Sequence, residues 1–500
     1  MCGIIGLINH TEEVGQQLLH HLEHRGKDSR DIVTHKNVIL GHNRLSINDL
    51  SDKGKQPFIY KGLHLVVNGE IWNYPQLRKE YEERGYQFFS NSDSEIILYL
   101  YEQRELNRLD GMFSFILHDT NIQKLFISRD WVGKVPLFID ISNKIVISSE
   151  LMSIKETLPA VVPQFVPINS LVTIDTTTLE VDVEKDYYFK FDEGYTKWQS
   201  QDEINNWVYK TINHAVEKRL ISDVPIATSL SGGLDSAVIT YILSKWIPNL
   251  KAYTINFDDN SKDLEMARLF AQSLGIDLVE VKVPKDKNLI KERFKEVIQT
   301  IGYPTTVQTE VGILQSFIAE QMKKDGVKVA FSGEGSDESF GSYGKIRMFS
   351  KLEPNFSNYR KYLHGIQHTS NLLRGNNIFM KWGTIELRCP FYDTEFVNTI
   401  CNTTYKHLTG KGEQWKLPLA ESFRGIIPDE ILDQEKRAFQ KGTNFKDWVE
   451  DILINDEEIN FKKRTRLIEI CKDHFHLNFG YKFNNLQKDI NKKTIYKWMV

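Results

Sequence analysis

Cys2 stands directly behind the initiator Met1, so removal of Met1 would make it the N-terminal residue and give it two tools at once. Its thiol is an intrinsically strong nucleophile, and its own α-amino group, with an unperturbed pKa of roughly 7.7–8.0, lies close enough to serve as the base. No separate catalytic histidine is then required. Read alone, the same residue is a small side chain opening a first strand, because buried cysteines are common and mostly inert.

A second candidate is Ser231-Gly232-Gly233-Leu234-Asp235-Ser236, placed directly after the expected strand Ile226–Leu230 and before a helical pattern. Two glycines let the backbone turn tightly and bring its N–H groups against an anion, and the helix N-terminus adds positive partial charge. That combination is a phosphate cradle. Asp235 would repel a phosphate by itself, so it is a candidate Mg²⁺ ligand. Ser332-Gly333-Glu334-Gly335-Ser336-Asp337-Glu338 follows another expected strand, Val327–Phe331, and therefore belongs at the same edge of a sheet. Its three carboxylates are costly beside a nucleotide unless a divalent ion is shared, and Asp337 is the natural partner of Asp235 across one Mg²⁺.

The elements that must position these residues fall into two styles. Up to residue 185, short strands are expected at Gly3–Ile8, Val38–His42, Leu63–Val67, Phe113–His118, Lys124–Ser128 and Lys144–Ser148, with helices at Val14–Glu23, Tyr74–Arg84 and Ser94–Gln103. Residues 186–200 lack periodicity and read as a linker. A new unit then opens with Ser200-Gln201-Asp202-Glu203, which has the form of a capping box, followed by apolar residues at helical spacing. From there strands and helices alternate: strands Ile226–Leu230, Ala252–Phe257, Leu278–Val283 and Val327–Phe331, helices Ala237–Trp246, Leu264–Leu274 and Val311–Lys324. Such alternation predicts a doubly wound, mainly parallel α/β sheet with ligands at the carboxyl ends of its strands. The units are expected at 1–185, 201–445 and a charged, helical tail at 446–500.

Composition narrows the function. The chain has 500 residues, 26% charged, with a net charge of −4, so neither a nucleic-acid-binding basic field nor an acidic tail is indicated. Small-molecule partners are expected instead. The four cysteines are far apart and unpaired in pattern, which suits free thiols in a reducing cytoplasm. No apolar run approaches the roughly 18 residues of a membrane span. His20, His21 and His24 share a short stretch, but a metal site needs further ligands, and surface or structural roles are expected.

Taken together, these motifs resemble a known family. The Ser231–Ser236 loop is similar to that of the PP-loop ATP pyrophosphatases. Ser332–Glu338, with Arg388-Cys389-Pro390-Phe391-Tyr392-Asp393, resembles the glutamine-dependent asparagine synthetases. In the N-terminal half, Met1-Cys2-Gly3-Ile4, His24-Arg25-Gly26, Arg44-Leu45-Ser46-Ile47, Asn68-Gly69-Glu70 and Ser92-Asp93 are similar, in order, to the class II glutaminase domain of N-terminal-nucleophile amidotransferases. The resemblance spans about residues 1–445 and implies a mixed α/β protein, an Ntn-type αββα sandwich followed by a doubly wound adenine-nucleotide-binding domain.

It also implies roles. Cys2 would attack the glutamine side-chain amide, with Asn68 and the Gly69 N–H stabilising the oxyanion. Arg44 would clamp the α-carboxylate, Glu70 and Asp93 would receive the α-ammonium, and Leu45, Ser46 and Ile47 would complete the pocket. Leu230 and Ile255 would contact adenine, and Ser231, Gly232, Gly233, Asp235, Ser236, Ser332 and Gly333 would surround the phosphates of ATP. Lys436 would hold pyrophosphate, Asp235 and Asp337 would carry Mg²⁺, Glu334 would act near the attacking ammonia, and Glu338, Asp393 and Gln308 would lie in the substrate region.

The reaction so implied adenylates aspartate with ATP and lets ammonia released at Cys2 displace AMP, giving asparagine; a homodimer is compatible with it. Three departures from the pattern stand out: Lys27 replaces Pro after His-Arg-Gly, Gln308 replaces Arg in Thr305-Thr306-Val307-Gln308, and Cys389 with Tyr392 form a milder pair of changes. A neutral amide recognises a carboxylate less well than a guanidinium, which keeps open an amidotransferase acting on another carboxylate. A silent homologue serving as sensor or scaffold would be expected to have lost Cys2, Asp235 or Glu334, and an intramolecular amide-forming relative would not need Cys2.

Overall fold

The structure is a computed structural model that describes residues 1–301, 306–343, 357–358, 360–361, 364, 371–409, 415–434 and 438–454. Lys436 and most of the expected tail lie outside the described residues.

In the N-terminal half, Gly3–Ile8 is apolar at every position because both its faces are covered. Ile4 and Ile8 pack with Leu40, Val66, Ile116 and Ile127 between two sheets, whereas Ile5 and Leu7 point the other way, onto Leu18, Leu19 and Leu22 around the helix Glu12–His21. Alternation along one strand thus fills two layers. The first sheet is six-stranded and antiparallel, in the spatial order Gln164–Phe165, Phe138–Ile141, Ile145–Ser148, Gly3–Ile8, Val38–Arg44, Ser29–His35. The second, also six-stranded and antiparallel, runs Val181–Lys185, Ser170–Asp175, Lys124–Arg129, Gly111–Asp119, Leu63–Ile71, Phe58–Tyr60. Leu77, Tyr81, Ile97 and Tyr99, from the helices Tyr74–Glu83 and Ile96–Glu102, cover its outer face against Leu65, Val67, Phe113 and Phe115. Helix, sheet, sheet and helix are stacked.

Sequence periodicity overlooked Ser29–His35 and Val181–Lys185, edge strands rich in charge, as well as Phe138–Ile141, Ser170–Asp175 and the helix Lys287–Ile301. An edge strand carries only half the apolar signal because one flank and often one face meet water. The helix expected at Val14–Glu23 begins two residues earlier and ends at His21, with a tighter turn at Glu23–Arg25.

Residues 186–200 contain no helix or strand. Ser200 then caps the helix Gln201–Glu217, its hydroxyl accepting from the Glu203 N–H at 3.2 Å. The third sheet has five strands in the order Asp277–Lys282, Lys251–Asn256, Ile226–Ser229, Val329–Phe331, Glu386–Arg388, and every pairing is parallel. Ala252 faces the helix Leu234–Ser244 on one side, while Tyr253 and Ile255 face Ile313, Leu314 and Phe317 of the helix Thr306–Lys324 on the other. Chain order reverses between Ile226–Ser229 and Val329–Phe331. In a doubly wound sheet this switch point is where the crevice for a ligand opens.

Ile116 is wholly buried between the two antiparallel sheets, with its Cδ1 3.0 Å from where a Cβ on Gly6 would stand. Ile116→Ala is therefore expected to cost about 2–5 kcal/mol, read as an earlier midpoint in urea unfolding; an unmoved midpoint would contradict this sheet-on-sheet packing.

Candidate functional site

Cys2 opens the strand Gly3–Ile8 and sits beside the end of Val38–Arg44. The Leu45 N–H donates to its Sγ at 3.4 Å. Burial pushes the thiol above its ordinary range, against the opposing pull of the nearby N-terminal ammonium and the Leu45 N–H. A thiol so buried stays protonated at neutral pH. While Met1 is in place the nitrogen of Cys2 is a peptide amide and cannot serve as its base.

Asn68 lies on Leu63–Ile71, fully buried, and neither its amide nitrogen nor its oxygen has a partner among the described residues. Buried amides are almost always hydrogen-bonded, so this one is set for a ligand. Gly69 follows with φ +139, and a Cβ there would overlap the Met112 carbonyl oxygen; only glycine fits. Arg44 is buried, and its terminal nitrogens donate to the carbonyl oxygens of Ser51, at 2.8 Å, and Asp49. Two of its five N–H groups thus hold the 49–51 loop, a task the sequence did not suggest. Ser46 is fixed by its N–H donating to Asp28 at 2.7 Å, and Leu45 and Ile47 are buried beside it.

Glu70 and Asp93 share their surroundings with Glu386, which arrives from the last strand of the parallel sheet. Burial and the neighbouring Glu386 raise the Asp93 carboxyl to about 6, even though it accepts from the Ile71 N–H at 2.7 Å. Burial, then Glu386 and Asp93, push Glu70 well above the carboxylate range. Against these three acids stand Arg388, 2.8 Å from Glu386 and 3.7 Å from Glu70, and the Met1 ammonium, 3.5 Å from Glu386. The cluster is short of positive charge, as a pocket for a ligand ammonium would be.

The two loops of the second half meet at the switch point, around a cavity of about 540 Å³. Leu230, Ser231, Asp235 and Ser236 line it from one loop, and Ser332, Gly333, Glu334, Asp337 and Glu338 from the other. The Ser231 N–H donates to Ser236 Oγ at 3.1 Å, and Ser236 Oγ donates to the Gly233 carbonyl at 2.9 Å, fixing the turn. Gly232 takes φ +80, where a Cβ would overlap the Asp263 carbonyl oxygen. Glu338 accepts from the Tyr343 hydroxyl at 2.7 Å.

Not every expected residue joins them. Ile255 is buried in its strand while Tyr253 and Thr254 line the cavity. Asp393 does not line it: it caps the helix Thr394–Cys401 and pairs with Lys218 at 2.5 Å and Arg219 at 3.2 Å, which hold its carboxyl low, at about 2, against burial. The three histidines pair singly with glutamates: His20 with Glu23, His21 with Glu156 and His24 with Glu150.

Two residues appear that no motif announced. Lys416, in a left-handed conformation and buried, places its ammonium 2.7 Å from Asp235 and 2.6 Å from Asp337. Both carboxylates therefore converge on one cation, a donor set that suits Mg²⁺ shared with phosphate oxygens. Arg374 donates to Glu334 at 2.6 Å and to Gln315 at 3.0 Å, and a third contact goes to Gln308. The neutral amide that departs from the family pattern thus orients a guanidinium standing in the same cavity.

The sequence profile of the glutamine amidotransferase domain matches residues 1–185, and that of asparagine synthase matches residues 208–370 and 359–488, more than half of the chain. The chain belongs to the asparagine synthase family. Among its relatives, asparagine synthetase B [glutamine-hydrolyzing] of Escherichia coli K12 is 29% identical over 484 residues, covering 90% of this chain and 84% of its own. A probable asparagine synthetase [glutamine-hydrolyzing] of Dictyostelium discoideum is 28% identical, covering 91% and 87%. Amidase chry2 of Gibberella zeae is 32% identical over 420 residues, covering 71% and 61%. No described helix of this family member is long and apolar enough to cross a membrane.

A ligand ammonium needs Asp93 ionised, and a carboxyl raised to about 6 takes up its proton as pH falls through that value. Glutamine-dependent kcat/KM is expected to drop below pH 6, while Asp93→Asn should lose glutamine affinity at all pH values; an equally high affinity at pH 5 and pH 7.5 would contradict this role.

Proposed function

We propose that this chain is a glutamine-hydrolysing asparagine synthetase, a ligase that couples cleavage of ATP to AMP and pyrophosphate with formation of an amide. The observation that carries this reading is the convergence of the loops Ser231–Ser236 and Ser332–Glu338 on one cavity that also holds Glu334 and Arg374.

In the N-terminal half, removal of Met1 frees the α-amine of Cys2, which takes the thiol proton as Sγ attacks the side-chain carbonyl of glutamine. Asn68 and the Gly69 N–H stabilise the oxyanion, and preorganised donors of this kind are worth about 2.7–4 kcal/mol each. Glu70 and Asp93 bind the ammonium of the amino acid, and Arg44, with the backbone of Leu45–Ile47, binds its carboxylate. Collapse of the tetrahedral species releases ammonia, and water then frees glutamate from Cys2.

In the second half, Ser231, Gly232, Gly233, Ser236, Ser332 and Gly333 hold the phosphates, Leu230 lies beside the adenine, and Lys416 binds pyrophosphate oxygens; Lys436 is assigned the same task from the sequence. Asp235 and Asp337 would hold Mg²⁺, which when bound neutralises phosphate charge. Arg374, oriented by Gln308 and Gln315, recognises the acceptor carboxylate, and Glu338 faces the same cavity. The acceptor carboxylate attacks the α-phosphorus to give an acyl-adenylate, and ammonia then displaces AMP. We place this activity in the cytoplasm, with residues 1–185 and 201–445 as the two catalytic units; it needs neither nucleic acid nor membrane, and a homodimer is compatible with it.

Gln308 favours a second reading, in which the same machinery amidates a carboxylic acid other than aspartate. Incubation with glutamine, Mg·ATP and a panel of carboxylates, followed by mass identification of the amide, separates the two; no AMP with any acid would sink both. Cys2→Ala is expected to abolish glutamate release, by at least about 10³-fold, and to leave amide synthesis from ammonium chloride intact. Loss of both in a folded variant would refute the division of labour.

A further inference from the structure

A continuous line of polar contacts joins the two sites. Arg25, wholly buried, donates from Nε to the Cys2 carbonyl at 3.0 Å and from Nη2 to Asn376 Oδ1 at 3.3 Å. Asn376 donates to the Lys134 carbonyl at 2.8 Å. Lys134 belongs to the N-terminal half, yet its ammonium crosses into the other, donating to Cys389 Sγ at 3.2 Å. The Cys389 thiol in turn donates to Glu334 Oε2 at 3.9 Å.

Lys134 does not arrive there loosely. Its own N–H and those of Val132 and Val135 all donate to the Asp130 carboxylate, at 3.0–3.2 Å, so the turn that presents it is fixed. Lys134 and Cys389 are 4% and 5% exposed. Burying an ammonium is costly unless something nearby answers its charge, and the charge beyond the thiol is that of Glu334. Burial lifts Cys389 to about 11, so it remains a neutral thiol that accepts on one side and donates on the other. Glu334 is thus gripped twice: Oε1 by Arg374 and Gln315 from its own half, Oε2 through Cys389 from the other.

We propose that Lys134 is a positioning residue for the ammonia-consuming step, acting through Cys389 on the Glu334 carboxylate. The inference rests on the reading of function given above. In that step the nitrogen lone pair forms the C–N bond, the acyl C–O bond breaks with its electrons leaving on AMP, and one proton of the nitrogen passes to Glu334. Correct placement of that carboxylate therefore depends on the two halves being docked.

The test uses the full chain with Met1 removed and compares it with Lys134→Met and with Cys389→Val, which cuts the link without removing either charge. Four rates are read: glutamate release, acceptor-dependent pyrophosphate exchange, amide synthesis from glutamine and amide synthesis from ammonium chloride. In both variants the first two are expected to stay near those of the parent. The kcat of ammonium-driven synthesis should fall about tenfold, part of the roughly 10²–10⁴-fold available to a general base, with KM for ATP unchanged. Glutamate released per amide formed should rise by the same factor, and Lys134→Arg should recover part of the loss. Parental ratios in both variants, or four rates falling together, would overturn the proposal. A parent that forms no pyrophosphate with any acid would instead overturn the functional reading beneath it.

Discussion

Arg388 is fully buried on the last strand of the parallel sheet, and the rest of the molecule is arranged around its charge. It donates to Glu386 at 2.8 Å and to the carbonyl oxygens of Arg219 and Ile221, and its guanidinium lies 5.1 Å from the centre of the Trp72 ring in the N-terminal half. A guanidinium removed from water needs such answers, and its Nη2, with no hydrogen-bond partner among the described residues, lies 3.7 Å from Glu70. Because these answers come from both halves, docking is a condition of folding Arg388 correctly. The same strand carries Glu386 into the glutamine pocket, and the Arg388 carbonyl accepts from Ser332 N–H at 3.0 Å, at the start of the catalytic loop. One buried cation therefore ties a pocket of the first site to a loop of the second.

The two pockets solve opposite electrostatic problems. Around Glu70, Asp93 and Glu386 carboxylates outnumber cations, and burial with the neighbouring acids pushes the Glu70 carboxyl well up and the Asp93 carboxyl to about 6. Around Asp235 and Asp337 one ammonium, that of Lys416, bridges the two carboxylates and offsets part of their charge. That internal ammonium keeps two facing carboxylates from repelling one another before nucleotide binds.

How much of this was legible from residue order follows from distance along the chain. Cys2, Ser231–Ser236 and Ser332–Glu338 are short segments whose chemistry is complete in themselves, and the alternation of strand and helix patterns around the two loops made the parallel sheet readable. Lys416 lies 181 residues from Asp235, and Lys134 lies 255 from Cys389. Nothing in the local sequence of either lysine marks it, because an exposed lysine and a buried one are the same letter. Asp393 illustrates the reverse case: a residue within a recognisable motif whose carboxylate caps a helix and answers Lys218 and Arg219. The polar edge strands Ser29–His35 and Val181–Lys185 escaped because half of their surroundings is solvent.

Gln308 looked like the loss of a carboxylate-binding charge, and the structure gives it a different task. Its oxygen accepts from Arg374, which also contacts Gln315 and Glu334. An arginine at position 308 would have set two guanidinium groups against one carboxylate; an amide instead accepts a hydrogen bond and removes the repulsion. Among the described residues lining the cavity, Arg374 is the one cation, held at its edges by neutral amides and by the Glu334 carboxylate. An acid bound there would compete for the charge now held by Glu334, so acceptor binding and release of that carboxylate for its role become one event. Selectivity would follow from how far the acceptor's acid group, held at Arg374, lies from its second recognition point.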